Sequence, residues 1–153
     1  MELDKTDRKI LEILQVAAKS NVKEVAAQVG LTITPTYERI KKLEQAGIIK
    51  GYTIDIDHHK LGKSIEVFCQ VSLSSHAKTI IEEFEREVAR LDEVLDCYHL
   101  TGGSDYMLRV LMKDMEAYRQ FLTDQLSVID NVSNVQSMFV MKRVKDRAVM
   151  KVV

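Results

Sequence analysis

The spacing of hydrophobic positions changes once along the chain. Over roughly the first fifty residues they recur every three or four positions, the signature of one helix face; beyond about residue 64, alternating runs take turns with helical ones. The first helical run follows Asp4 as N-cap and aligns Ile10, Leu11, Leu14 and Ala17. The second, "NVKEVAAQVG", opens with Asn21 and Glu24 at capping-box spacing, carries Val22, Val25, Ala26 and Val29 inward, and stops at Gly30. The third is capped by Thr32, holds the only proline, Pro35, in its first turn, and ends at Gly47. Its inward arc is Ile33, Thr36, Ile40 and Leu43. The link between the second and third helices is little more than Gly30-Leu31, and a tight glycine turn between short helices is the helix-turn-helix pattern. "IIKGYTIDID" then alternates Ile49, Tyr52, Ile54 and Ile56 around Gly51, predicting a strand that leaves the motif as a small wing.

Residues 57–63, "DHHKLGK", are polar and read as a hinge. After them come a strand ("SIEVFCQVSLS"), a helix with Ile80, Ile81, Phe84, Val88 and Leu91 inward, and two strands ("EVLDCYHLT", "DYMLRVLMK") joined by a glycine turn. A helix capped by Asp114 follows, with Met115, Tyr118, Phe121, Leu122 and Leu126 inward, then a strand ("NVQSMFVM") and one further strand over "VKDRAVMKV". The expected fold is therefore α+β: a winged helix-turn-helix over 1–56, a hinge over 57–63, and a ferredoxin-like βαββαβ domain over 64–153. Phe68, Met107, Leu111, Met138 and Val140 make the second face of this sheet apolar as well, and no further helix in the sequence covers it. A second subunit is the expected cover.

Composition adds limits. With 46% hydrophobic and 29% charged residues, the chain has the profile of a folded soluble domain. No run approaches a membrane span, and the charged start "MELDKTDRKI" does not resemble a signal peptide; a cytoplasmic location is the expectation. Cys69 and Cys97 lie in strand-like runs as small hydrophobes. The net charge of −1 hides an uneven distribution, for residues 19–51 hold six basic and three acidic side chains. The outer arc of the third helix carries Thr34, Glu38, Lys41, Lys42 and Gln45, with Tyr37 and Arg39 at its edges. Lysines suit phosphates or guanine, Glu38 suits a cytosine amino group, and Thr34 suits a thymine methyl. A solvated face with an Glu38–Lys42 pair is the plainer alternative, but the preceding short helix and turn favour contact with double-stranded DNA through Thr34, Tyr37, Glu38, Arg39, Lys41 and Lys42.

Other candidates are weaker. In "TGGSDY", Gly102 and Gly103 suit a hairpin turn that Asp105 hydrogen-bonds; equally, bare N–H groups beside the glycines suit a carboxylate, with Asp105 attracting an ammonium. Cys97 and His99 share a strand face without a third catalytic group, and His58-His59 fall in the hinge. No zinc spacing, phosphate loop or dinucleotide fingerprint is present, so no catalytic residue, metal or cofactor is expected, and an enzyme is disfavoured.

The runs "LTITPTYERIKKLEQAGIIKGYTIDID" and "TGGSDYMLRVLMKDMEAY", with Gly102-x-x-Asp105-Tyr106, resemble the Lrp/AsnC (feast/famine) family of prokaryotic transcriptional regulators along essentially the whole chain. The resemblance implies dimers that often assemble into octamers, with a small-molecule effector, usually an amino acid, held between dimers. Its implied site is Thr101, Gly102, Gly103, Asp105 and Tyr106, joined by Gln136 and Ser137. Lys19-Ser20, Gly103-Ser104 and Ser137 depart from the usual pattern, the last two near that site. An effector-independent, DNA-wrapping architectural protein is the alternative function.

Overall fold

The computed structural model describes residues 2–145 and 149–152. The chain divides into two compact units, Met1–Asp55 with Lys145–Val153, and Ile56–Val144. The final residues, expected within the second domain, thus group with the first.

The first unit holds α1 (Lys5–Val16), α2 (Val22–Val29) and α3 (Ile33–Gln45). Full capping boxes start α1 and α2: Asp4 with Asp7, and Asn21 with Glu24. Such reciprocal bonds satisfy two otherwise unpaired N–H groups each. Gly30 ends α2 with φ 72°, a left-handed conformation that a Cβ would strain. Gly47, at φ 68°, closes α3 as its N–H bonds Glu44 and the next N–H bonds Leu43. Ile10, Leu14, Val25, Ile40 and Leu43 form the core, flanked by Leu11, Val29 and Ile49. Two expectations differ. Ile33 is 52% exposed, because it lies in the first turn of α3, ahead of the stretch that meets the other helices; Ala17 is exposed beyond the end of α1. The strand expected at 49–56 does not form either. Residues 50–57 carry no regular structure, for among the described residues no strand pairs with them, and Tyr52, Ile54 and Ile56 stay at least half exposed.

The second unit contains β1 (Ile65–Leu73), α4 (Lys78–Val88), β2 (Val94–His99), β3 (Tyr106–Met112), α5 (Met115–Phe121) and β4 (Val132–Phe139). Its sheet runs β2-β3-β1-β4 with every neighbouring pair antiparallel, the expected ferredoxin-like order. The helix after Asp114 widens into a π turn over Leu122–Leu126, and Met115 is 55% exposed rather than inward. The helices bury one sheet face: Val67, Cys69 and Val71 of β1 and Tyr106, Leu108 and Val110 of β3 pack on Phe84, Val88, Tyr118, Phe121 and Leu126. Val144, Lys145 and 149–152 form no strand; residues 146–148, within the further strand expected there, lie outside the described residues. Instead Met150 exchanges two backbone bonds with the Gln15 amide of the first unit, at 2.7 and 3.0 Å.

The other sheet face has no helix in this unit. Phe68, Met107, Leu111 and Met138 lie on it, around a row of charges. Arg109 donates to Glu66 at 2.6 Å and to Asp96 at 3.1 Å, while Arg143 reaches both Glu66 oxygens at 3.0 and 3.1 Å. Burial pushes the Glu66 carboxyl up, but its bonds from Arg109 and Arg143 prevail and hold it below the ordinary 4.5. A carboxylate depressed in this way stabilises the fold above the unfolded-state pKa, and that contribution is lost as pH falls through the folded value. Glu66→Gln is therefore expected to cost about 1–3 kcal/mol at neutral pH and to show a shallower loss of thermal midpoint below about pH 4.5 than the native chain. Thermal melts from pH 3 to pH 7 (roughly the range in which carboxylates titrate) check both.

Candidate functional site

The capping boxes and Gly30 set α2 and α3 at the tight turn, with Thr36, Ile40 and Leu43 of α3 inward. The opposite side of α3 is therefore presented outward. Thr34, Tyr37, Glu38, Lys41 and Lys42 are all exposed there. No Thr32 side-chain bond caps α3, so its first N–H groups point out without a side-chain partner. Lys41 Nζ lies 5.9 Å from the centre of the Tyr37 ring, near enough for a cation–π contact. Among the described residues no carboxylate approaches Lys41 or Lys42 within 4.0 Å, so the Glu38–Lys42 pair does not form.

Arg39 is different. One guanidinium nitrogen donates to Asp4 and to Asp7, each at 2.6 Å. The Asp7 side chain is only 9% exposed, and the bonds to Asp7 and then Asp4 raise the arginine further above its usual range. Arg39 thus joins α3 to the start of α1, and the DNA contact expected of it would compete with these two carboxylates. Of the two aspartates that claim it, the sequence marks only Asp4, as the N-cap of α1; Asp7 carries no local signal there.

The turn between β2 and β3 presents Thr101, Gly102 and Gly103 to solvent, Gly102 at φ 129°. Asp105 sits behind them and closes the sheet end. Its Oδ2 accepts the Leu73 N–H at 2.7 Å, its own N–H donates to Val71 at 2.9 Å, and its carbonyl accepts from Leu100 at 2.7 Å. Its outer oxygen, Oδ1, meets His76 Nε2 at 2.7 Å. The Leu73 N–H first, then His76 and the field of His99, hold the carboxyl below its ordinary 3.8 against burial. Tyr106 is buried, stacks on His99 with ring centres 4.5 Å apart, and donates to Glu85 at 2.9 Å. Burial and then Glu85 push its hydroxyl pKa up. Beside the turn, a cleft of about 460 Å³ is lined by Glu85, Val88, Leu95, Cys97, His99 and Tyr106. Its volume falls within the range of small-ligand pockets.

Gln136 and Ser137 are not brought to this turn within one chain. β1 stands between β3 and β4, so two strand spacings, roughly 9–10 Å, separate them. Gln136 pairs across from Gln70, and the Ser137 hydroxyl is taken by a short hydrogen bond to Tyr118 on the helix side. His76 and Glu85, in the neighbourhood of Asp105, carry no local signal in the sequence, and His99 reads there only as sharing a strand face with Cys97.

The Lrp/AsnC ligand binding domain matches residues 66–150, and a winged helix-turn-helix DNA-binding domain matches residues 3–50. The chain belongs to the Lrp/AsnC family. It is 37% identical over 147 residues to the Bkd operon transcriptional regulator of Pseudomonas aeruginosa, covering 96% of each chain. It is 36% identical over 144 residues to the leucine-responsive regulatory protein of Escherichia coli K12, covering 94% of this chain and 88% of that one. A solved complex of a Neisseria meningitidis transcriptional regulator with L-Met superposes with a TM-score of 0.94 at 36% identity, covering 97% of this chain and 96% of the other. This Lrp/AsnC member is accordingly a DNA-binding transcriptional regulator with an N-terminal helix-turn-helix and a C-terminal α+β ligand-binding domain.

The separate uses of the α3 cations give a stability test. Arg39→Ala is expected to cost about 1–2 kcal/mol, since it strips a partly exposed cation from two carboxylates. Lys42→Ala is expected to stay within about 0.5 kcal/mol of the native chain. Urea unfolding of the two variants measures the difference.

Proposed function

We propose that the protein regulates transcription in response to an amino acid, reading the major groove with Thr34, Tyr37, Glu38, Lys41 and Lys42 of α3. The observation that carries this reading is the outward arc of α3, whose two lysines are not engaged by described carboxylates while the neighbouring Arg39 is consumed by the fold. Lysines left in this state can neutralise phosphates and release counterions, and the uncapped first turn of α3 favours a phosphate as well. The remaining polar side chains of the arc supply donors and acceptors for base edges.

The effector is assigned to the turn of Thr101, Gly102, Gly103 and Asp105, with Tyr106 as its buried base. The support is the exposed glycine backbone next to a partly exposed carboxylate, together with the L-Met bound by the Neisseria relative. Backbone N–H groups suit the ligand carboxylate, and Asp105 suits its ammonium. Gln136 and Ser137 join this site, in our reading, only from another subunit, because β1 blocks them within one chain. The first unit is the DNA-binding part. The second holds effector and subunit contacts, with the open sheet face around Phe68, Met107 and Met138 covered by a second copy and such dimers assembling further, up to octamers. Regulation then follows if the effector binds the assembly states unequally. No helix among the described residues is long and apolar enough to cross a membrane, and we place the protein in the cytoplasm with the DNA it reads.

Lys41→Ala and Lys42→Ala are each expected to weaken DNA binding across sequences and to reduce the salt slope by about one. Fluorescence anisotropy at several salt concentrations measures this; unchanged affinity and slope would remove α3 as the reading element. Calorimetry with the twenty amino acids tests the effector site. At least one is expected to bind with sub-millimolar affinity, and Asp105→Asn is expected to weaken it by about tenfold or more. Silence with all twenty on the native chain would instead favour the effector-independent, DNA-wrapping role.

A further inference from the structure

We infer that His76 is a built-in competitor for the ammonium group of the effector, so that amino-acid binding is coupled to the protonation of this ring. The inference rests on the effector reading of the Asp105 turn given above.

The turn does not need His76 to hold its shape. The Leu73 N–H on Asp105 Oδ2, the Asp105 N–H on Val71 and the Leu100 N–H on the Asp105 carbonyl, at 2.7, 2.9 and 2.7 Å, already tie it to the sheet end. Those contacts consume the inner carboxylate oxygen. A ligand ammonium arriving from solvent is left with Oδ1, and His76 Nε2 stands there at 2.7 Å. The His76 side chain is 68% exposed, and the segment carrying it is a loop between β1 and α4. A ring held mainly by one exposed contact can leave by a change of rotamer, on a timescale far shorter than ligand exchange. His76 therefore closes the carboxylate without locking it.

The chemistry gives the sign. A carboxylate accepts, so the imidazole must present an N–H to Oδ1. A neutral ring does so in one tautomer, and a protonated ring does so with a full charge, a contact about twice as strong. Protonation therefore strengthens the competitor, so an ammonium displaces the neutral ring more readily than the charged one. The other charged groups around the pair are His99 of β2, whose field reaches Asp105, and Glu85 of α4, which lies 3.8 Å from His99 and bonds Tyr106. Lys78, two residues beyond His76, is paired with Glu82 at 3.6 Å. His99 faces the same carboxylate, so a pH profile of the native chain does not by itself separate the two rings; a variant of His76 does.

The test is calorimetry of the full-length chain with L-methionine and L-leucine, across the range in which imidazoles titrate (about pH 5.5 to 7.5) and in buffers of different ionisation heat. An amino acid keeps both its charges across this range. The native chain is expected to bind roughly two- to fivefold more tightly at the upper end, the scale of an exposed ion pair, and to release a fraction of a proton on binding. His76→Gln keeps an N–H donor and cannot titrate. It is expected to bind with a flat profile and without proton release, and because the native ring is exposed its folding is not at stake. A native profile that is flat, or that tightens as pH falls, overturns the inference while leaving the effector site standing. So does a slope that persists in His76→Gln. If neither these two nor any of the other standard amino acids produces heat at any pH, the effector reading fails and this inference fails with it.

Discussion

Two helices can cover only one face of a four-stranded sheet, and the second unit has only α4 and α5 to offer. Much of the rest follows from that constraint. The inner strands β1 and β3 are hydrogen-bonded on both sides, so their backbone is satisfied and their side chains decide what each face becomes. One face is a closed core around Phe84, Tyr106 and Phe121. The other keeps Phe68, Met107 and Met138 partly accessible, which a lone subunit would leave wet. The row Asp96–Arg109–Glu66–Arg143 crosses this same face. Paired charges of this sort contribute little net stability, but they penalise any pairing that separates them. If a second copy covers this face, as proposed above, such a composition would favour one specific mate over general adhesion and so a fixed spacing of the DNA-binding helices.

The first unit resolves a different conflict. A helix that meets DNA needs cations that the protein itself does not neutralise, while a small three-helix core gains from every internal ion pair. α3 separates the two demands by position. Arg39, on the flank turned toward α1, satisfies Asp4 and Asp7, which are also the capping box of α1. Farther round the helix, Lys41 lies over the Tyr37 ring, and no carboxylate among the described residues pairs with Lys41 or Lys42. Arginine suits the first duty because one guanidinium nitrogen can donate to both carboxylates at once, and lysine would suit the second, as proposed above, because a flexible ammonium can follow a phosphate.

At the turn beyond β2 a single carboxylate serves the fold with one oxygen and stays accessible with the other. Asp105 closes the end of β1 with one oxygen and offers the other outward, where His76 meets it. The glycines before it expose backbone because Gly102 holds a φ of 129° that other residues seldom adopt. Tyr106, anchored to Glu85 and stacked on His99, ties the turn to α4 as well as to the sheet end.

Local features of the sequence were enough to determine the helices and the four paired strands, though not the strands expected at 49–56 and beyond residue 143. The capping boxes at Asp4 and Asn21, the stop at Gly30, the alternation along β1 and β3 and the apolar second face can all be read within a few residues, because caps, turns and periodicity act over that range. The outward arc of α3 was legible for the same reason, and so was the exposed turn at Gly102 and Gly103. Tertiary structure alone decided which charges remain available. Arg39 finds Asp7 32 positions away, Asp105 finds the Leu73 N–H 32 positions away, and His76 reaches Asp105 across 29. It also decided that Gln136 and Ser137 stand a strand apart from the turn, and that 50–57, patterned as a strand, has no strand partner among the described residues. A pattern along the chain records which face a side chain takes. Which group it meets there depends on how distant segments close on one another, and that is set by the packing of the whole unit.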